Sequence, residues 1–261
     1  MQTFNYHSHT KRCGHAQGED EAYVLAAIEA GYQRMGFSDH APYQNGYMEG
    51  ERMHKEELEE YIASVKGLQK KYADKIEIRI GLEFEYFEDQ LDELMEYKEM
   101  MDYLIIGQHG PKLYEEEFYT RNSDEDILLY ASLIEKACST GLPDIIAHPD
   151  LFMFSKEVWT PACEQAAEII ARAAVEADIP LEINLNGIRY GYRKIGEEQR
   201  ITYPYRRFWE VASQYPIKVI YGLDAHTPEK YADTKAFETV DDLLKGISLT
   251  MLNDLRFDPK L

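Results

Sequence analysis

The sequence is short of positive charge. Its 261 residues include 28 lysines and arginines against 48 aspartates and glutamates, a formal net charge of -20. Phosphate backbones and anionic lipid surfaces are captured mainly by Lys and Arg, so this balance argues against a nucleic-acid or membrane partner. It also means that an anionic substrate must be drawn by a local positive site, which bound divalent cations would supply. Cysteine is scarce too. Cys13, Cys138 and Cys163 are odd in number and lack metal-site spacing, so no disulfide framework is expected and a reducing compartment is. No apolar run approaches a membrane span and no signal-peptide pattern opens the chain, which points to a cytoplasmic protein. There is no repeat of fixed period and no low-complexity segment.

What is present is a globular composition, 44% hydrophobic and 29% charged. Seven short segments rich in Ile, Val, Leu, Phe and Tyr predict strands near Thr3 to His7, Arg34 to Ser38, Ile76 to Phe84, Tyr103 to Gln108, Asp144 to Ala147, Leu181 to Asn184 and Lys218 to Gly222. Helical spacing is clear in three stretches between them. Leu58, Ile62, Val65, Leu68 and Tyr72 form one stripe; Ile127, Tyr130, Ala131, Ile134 and Cys138 a second; Ala162, Ala166, Ile169, Ile170, Ala173 and Ala177 a third. Ser123-Asp124 and Thr160-Pro161 read as helix starts, and Gly31, Gly141 and Pro180 as stops. Alternating strand and helix implies an α/β fold with a parallel sheet. Seven repeats without a long linker favour one closed or nearly closed barrel domain over 1–261, with its chemistry at the C-terminal ends of the strands.

The polar residues follow that rule. Of eight histidines, seven (His7, His9, His15, His40, His109, His148 and His226) fall where a predicted strand stops or in the loop after it. Only His54 lies elsewhere, at a predicted helix start. Glu83 stands in an apolar strand, where an unpaired carboxylate is costly, so a metal is its expected partner and a salt bridge the alternative. Asp224 ends the last strand beside His226, and Asp39 beside His40 is either a ligand or an acceptor that orients an imidazole. One zinc uses about three or four protein ligands, so this set points to roughly two or three ions, with Zn, Mn or Fe suiting the mixed N and O donors. Cys13 is set aside, because such a site rarely needs one thiolate. Clustered ions of this kind suit in-line displacement at phosphorus.

These residues resemble the motifs of the polymerase and histidinol phosphatase (PHP) superfamily, and the resemblance covers nearly the whole chain. It is carried by His7-x-His9, His15, Asp39-His40, Gly81-Leu82-Glu83, His109, Ala147-His148-Pro149-Asp150 and Gly222-Leu223-Asp224-Ala225-His226. Within the superfamily the chain is most similar to stand-alone histidinol-phosphate phosphatases, through Ser38-Asp39-His40-Ala41-Pro42, Arg52-Met53, Asn184-x-Asn186-Gly187-Ile188-Arg189 and Asp224-Ala225-His226-x-Pro228. The resemblance implies a distorted seven-stranded barrel with a trinuclear centre. His7, His9, Glu83 and Asp224 would hold one ion, Glu83 would bridge to a second held by His109 and His148, and His15, His40 and His226 would hold the third. Two departures stand out. The family usually has Asp where this chain has Glu85, and its arginine signature is split here between Arg189 and Arg193-Lys194. Either arginine is a candidate phosphate clamp.

The expected activity is therefore metal-dependent hydrolysis of a small phosphorylated substrate, L-histidinol phosphate above all, releasing inorganic phosphate. Asp224 and His226 are candidates to protonate the leaving group, and the acidic run Glu115-Glu116-Glu117 would suit a cationic substrate. The rivals are a PHP phosphoesterase acting on phosphotyrosine, nucleotides or sugar phosphates, a metal-dependent exonuclease, and a catalytically silent metal-binding module. Composition leaves the oligomeric state open.

Overall fold

The computed structural model describes residues 2 to 43 and 50 to 260. In chain order the strands are β1 (Phe4–Asn5), β2 (Arg34–His40), β3 (Glu77–Phe84), β4 (Tyr103–Ile106), β5 (Ile145–Ile146), β6 (Leu181–Asn184), β7 (Arg193–Ile195), β8 (Glu198–Arg200), β9 (Lys218–Gly222) and β10 (Thr250–Met251). The helices are α1 (Asp20–Glu29), α2 (Leu58–Lys71), α3 (Leu91–Met100), α4 (Asp124–Thr140), α5 (Pro161–Ala177), α6 (Arg206–Ala212) and α7 (Thr234–Leu243). One curled parallel sheet runs β1-β2-β3-β4-β5-β6-β9-β10. All seven expected strands are in it. The eighth, β10, carries no apolar run that would announce it, and joins by pairing Thr250 with Lys218 and Met251 with Val219. An antiparallel hairpin, β7 with β8, interrupts the chain between β6 and α6.

Local chemistry accounts for the helix ends. Ser123 accepts from the backbone of Asp126 at 3.1 Å to start α4, Pro161 occupies the first turn of α5, and Gly141 closes α4 in the left-handed region. The expected stripe of α4 is buried throughout. Those of α2 and α5 are buried except at Ile62, Ile169 and Ala177, which pack partly exposed against the same core.

The curl closes through side chains as much as through backbone. Beyond β1, Ser8 forms a parallel bridge with Ala225, His9 N–H donates to Ala225 O at 2.9 Å and Ala225 N–H to His7 O at 3.1 Å. Lower in the seam, side-chain amides stand in for ladder bonds. Gln2 donates to Tyr221 O at 2.8 Å and accepts from Tyr221 N at 2.9 Å, while Asn5 Oδ1 accepts from Leu223 N at 2.9 Å. The ends of β1 and β9 are thus brought side by side, which matters for the site.

A separate apolar cluster of Phe4, Tyr6, Tyr103, Ile105, Ile145, Ala147 and Ile220 fills the inside of the curl, with Leu252, Leu255 and Phe257 from the C-terminal tail packed against it. Phe257 stacks on Tyr103 with centroids 4.9 Å apart, and its carbonyl accepts from Arg79 Nε at 2.7 Å. Phe257→Ala is expected to lower stability by about 2 kcal/mol, since it empties a partly buried aromatic site. Urea unfolding checks this, with the slope against denaturant unchanged.

Candidate metal centre

Parallel strands present their C-terminal ends together, and the curl turns those ends inward. His7 and His9 follow β1, His40 ends β2, Glu83 is next to last in β3, and His109, His148 and Asp224 follow β4, β5 and β9. His15 lies beyond the 3-10 turn Lys11–Cys13, and His226 two residues after Asp224. The structure brings all nine expected ligands into one cluster. His54 stays outside it, exposed at the N-cap of the turn Lys55–Glu57.

Glu83 is the hub. Its Oε2 lies 3.1 Å from His40 Nδ1, 3.4 Å from His7 Nε2 and 3.5 Å from His9 Nε2. Its Oε1 lies 2.9 Å from His148 Nε2 and 3.7 Å from His109 Nε2. Gly107 makes room for it, since a Cβ there would stand 1.8 Å from Oε1. Burial would push this carboxyl up, but His7, His40, His109 and the bond from His148 hold it well below the usual carboxylate range. Asp224 is depressed likewise, with burial opposing His7 and His226. Its Oδ1 is 3.1 Å from His9 Nε2, and its Oδ2 accepts from Asn184 and Asn186 at 3.2 and 3.1 Å. Both His148 (φ 27°) and Asp224 (φ 45°) have left-handed backbones. Strain of this kind, on the order of 1–3 kcal/mol, is tolerated where it aims a side chain into a site.

The imidazoles divide by environment. Burial and neighbouring histidines lower His15 to about 4 and depress His40 and His226, which keeps a lone pair free on each ring at neutral pH. His9 is raised to about 9, burial being outweighed by Asp224 and Asp39, and His109 is raised by Glu83 and Glu85 against its burial. Donor atoms of His7, His9 and Asp224, of Glu83, His109 and His148, and of His15, His40 and His226 form three groups, each within 4.8 Å. A fourth group, His9 with His40 and Glu83, links them. Meanwhile His7 Nε2, both ring nitrogens of His9, His40 Nδ1 and Asp224 Oδ1 are buried without a protein hydrogen bond. Unpaired buried polar atoms cost about 1–3 kcal/mol each, and N and O donors crowded this way fit divalent cations. Cys13 also comes within 4.8 Å of His9 and His226, and burial and the Asp39 carboxylate push its thiol up.

Asp39 stands behind the ligands, accepting from Thr10 Oγ1 and from His40 N–H. Glu85, the departure from the family pattern, accepts from His109 Nδ1 at 2.8 Å and pairs with Arg52. The longer side chain still reaches an imidazole. Asp150 ties the β5 loop to later chain through Tyr205 N at 2.6 Å and Trp209 Nε1 at 3.1 Å, its carboxyl raised by burial to about 6. Glu182, which holds His7 Nδ1 at 2.8 Å, was missed from sequence. The signal was the one that singled out Glu83, a carboxylate inside an apolar strand.

A cavity of about 310 Å³ opens above the cluster, lined by His15, His40 and His109 on its floor and by Arg52, Glu117 and Arg189 on its walls. The two expected arginines part company. Arg189 lies over the Tyr190 ring at this mouth, whereas Arg193 in β7 donates to Phe154 O at 3.3 Å and does not line the cavity. Of the acidic run only Glu117 reaches it. Glu115 faces Arg121, and Glu116 accepts from Thr120.

The PHP domain matches residues 5–186. The chain belongs to the PHP domain family. Asp224 and His226 lie beyond the matched residues, and the closing seam brings them to the histidines and Glu83 within it. A probable histidinol-phosphatase of Deinococcus radiodurans is 31% identical over 237 residues, 85% of each chain. Another from Schizosaccharomyces pombe is 27% identical, covering 86% of this chain and 80% of the relative. Among solved structures, histidinol phosphate phosphatase from Lactococcus lactis, complexed with zinc, L-histidinol and phosphate, superposes with a TM-score of 0.74 at 19% identity, covering 96% of this chain and 95% of that one. At that identity it shows the shared fold. No helix among the described residues is long and apolar enough to cross a membrane.

Proposed function

We propose that this chain is a cytoplasmic, metal-dependent phosphomonoesterase that hydrolyses L-histidinol phosphate to L-histidinol and phosphate in histidine biosynthesis, as one domain over 1–261. The observation that carries the reading is the meeting of three ligand groups around the buried Glu83 carboxylate, beneath a small-molecule cavity whose floor His15, His40 and His109 form. Relatives named histidinol-phosphatases over most of the chain support the substrate.

His7, His9 and Asp224 with one Glu83 oxygen would hold the first ion, Glu83 with His109 and His148 the second, and His15, His40 and His226 the third. Bound Zn, Mn or Fe would supply Lewis acidity toward the phosphoryl oxygens. The residues do the rest. Arg189 presents a guanidinium at the mouth, where it can bind phosphoryl oxygens bidentately. Glu83 and Asp224, held ionised, keep the floor negative enough to retain cations. Asp224 is held ionised and His226 is lowered toward the neutral ring, so neither has a proton to spare and the leaving alkoxide would take its proton from solvent.

The test is the initial rate of phosphate release after loading metal-free protein with Mn or Zn. L-Histidinol phosphate is compared with phosphotyrosine, a nucleotide and a sugar phosphate. The reading expects a strong preference for histidinol phosphate in kcat/KM; equal turnover of all esters keeps the chemistry and removes the substrate assignment. Glu117 is the wall carboxylate suited to the cationic half of the substrate. Its carboxyl is raised by burial against the pull of His109, and a bound cation would favour its ionised form. Glu117→Gln is expected to raise KM for histidinol phosphate about tenfold with kcat within about threefold, a loss of ground-state binding. Glu115→Gln and Glu116→Gln should leave both constants unchanged.

A further inference from the structure

One buried acid is not used by that chemistry. Glu182 projects from the middle of β6 into the curled sheet, fully buried, and among the described residues its one ion-pair partner is His7. A carboxylate buried without Lys or Arg is costly unless hydrogen bonds satisfy it. The fold has been shaped to admit it: a Cβ on Gly222 of the neighbouring β9 would stand 2.0 Å from Glu182 Oε2.

Its two oxygens have separate duties. Oε2 lies 2.8 Å from His7 Nδ1, and Oε1 accepts from Asn184 Nδ2 at 2.7 Å. The Asn184 amide is itself fixed end for end. Its Oδ1 accepts from Asn186 N–H at 2.8 Å, and its Nδ2 also donates to Asp224 Oδ2 at 3.2 Å. The far side of the His7 ring presents Nε2, without a hydrogen bond, 3.4 Å from Glu83 and 3.7 Å from Asp224.

We infer that Glu182 is a positioning residue of the centre: it holds His7 as the Nδ1–H tautomer and so leaves Nε2 bare toward the first ion. A ring nitrogen that carries a proton cannot ligate, and the bond made by one nitrogen decides which is bare. The inference rests on the proposed reading of His7 as a ligand and is independent of the substrate.

Glu182→Gln tests it sharply because Asn184 cannot turn round. Glutamine must set its oxygen toward Asn184 and its NH₂ toward His7, where an Nδ1–H would meet another donor. Two-bond ¹H–¹⁵N correlation on the zinc-loaded full chain is expected to show His7 protonated at Nδ1 in the parent and not in Glu182→Gln. Chelator competition should show zinc leaving the His7 group about 10- to 100-fold more readily, with the Glu83, His109 and His148 group changed less than about threefold. A parent His7 protonated at Nε2 would overturn the inference, and that reading needs no variant to fold. An unchanged signal and zinc affinity in Glu182→Gln would overturn it as well. A parent chain in which His7 shows no zinc contact at all would defeat the ligand reading, and the inference with it.

Discussion

Glu83→Gln is expected to lower kcat/KM for L-histidinol phosphate by roughly 10³-fold or more and to leave the purified protein short of metal. The substitution preserves shape and removes one negative charge from the point where His7, His9, His40, His109 and His148 converge within 3.7 Å. A 10³-fold loss corresponds to about 4 kcal/mol. That is the size of effect, about 3–5 kcal/mol, seen when one partner of a buried ionic cluster is removed. Both Glu83 oxygens face imidazoles, so an amide must also turn a donor toward one side. Metal content by atomic emission and phosphate release by initial rate are read on the same sample. Full metal content with turnover within about tenfold of the parent would remove Glu83 from the centre of the mechanism.

Arg189→Ala is expected to cost about 10²-fold in kcat/KM for histidinol phosphate, and Arg193→Ala less than about threefold. The two were equivalent in sequence. In the structure Arg189 sits on the cavity wall over Tyr190, while Arg193 is drawn over the Phe154 ring at 4.7 Å and bonded to its carbonyl. Removing Arg193 therefore loosens a loop, whereas removing Arg189 takes away the fork that matches phosphoryl oxygens. Arg189→Lys should recover only part of the loss, because a point charge cannot bond bidentately. Steady-state kinetics on the three variants decide it, and a larger loss in Arg193→Ala would reverse the assignment.

Much of this site was legible in the chain. Seven strands could be drawn because buried parallel strands leave continuous apolar runs, and the histidines stood out because they fell where those runs stop. Asp39 was left between two roles, and the geometry sets it behind His9 and His40, accepting from Thr10 Oγ1 and His40 N–H and lying 3.6 Å from His9 Nδ1. β10 was not legible, since a strand of two residues is too short to leave a periodic trace. Nor was the tail from Leu252 to Phe257, whose apolar residues are too few to form a pattern and matter only because they meet the inside of the sheet.

The sequence by itself determined the alternation of strand and helix, the deficit of positive charge and the nine residues able to ligate, because periodicity and side-chain chemistry are local properties. Only the tertiary structure decided that Asp224 and His226 meet His9 across the seam, that Glu182 backs His7, and that Arg189 rather than Arg193 faces the cavity. Those relations depend on how far the sheet curls and where each loop turns, and that is set by packing between segments distant in the chain.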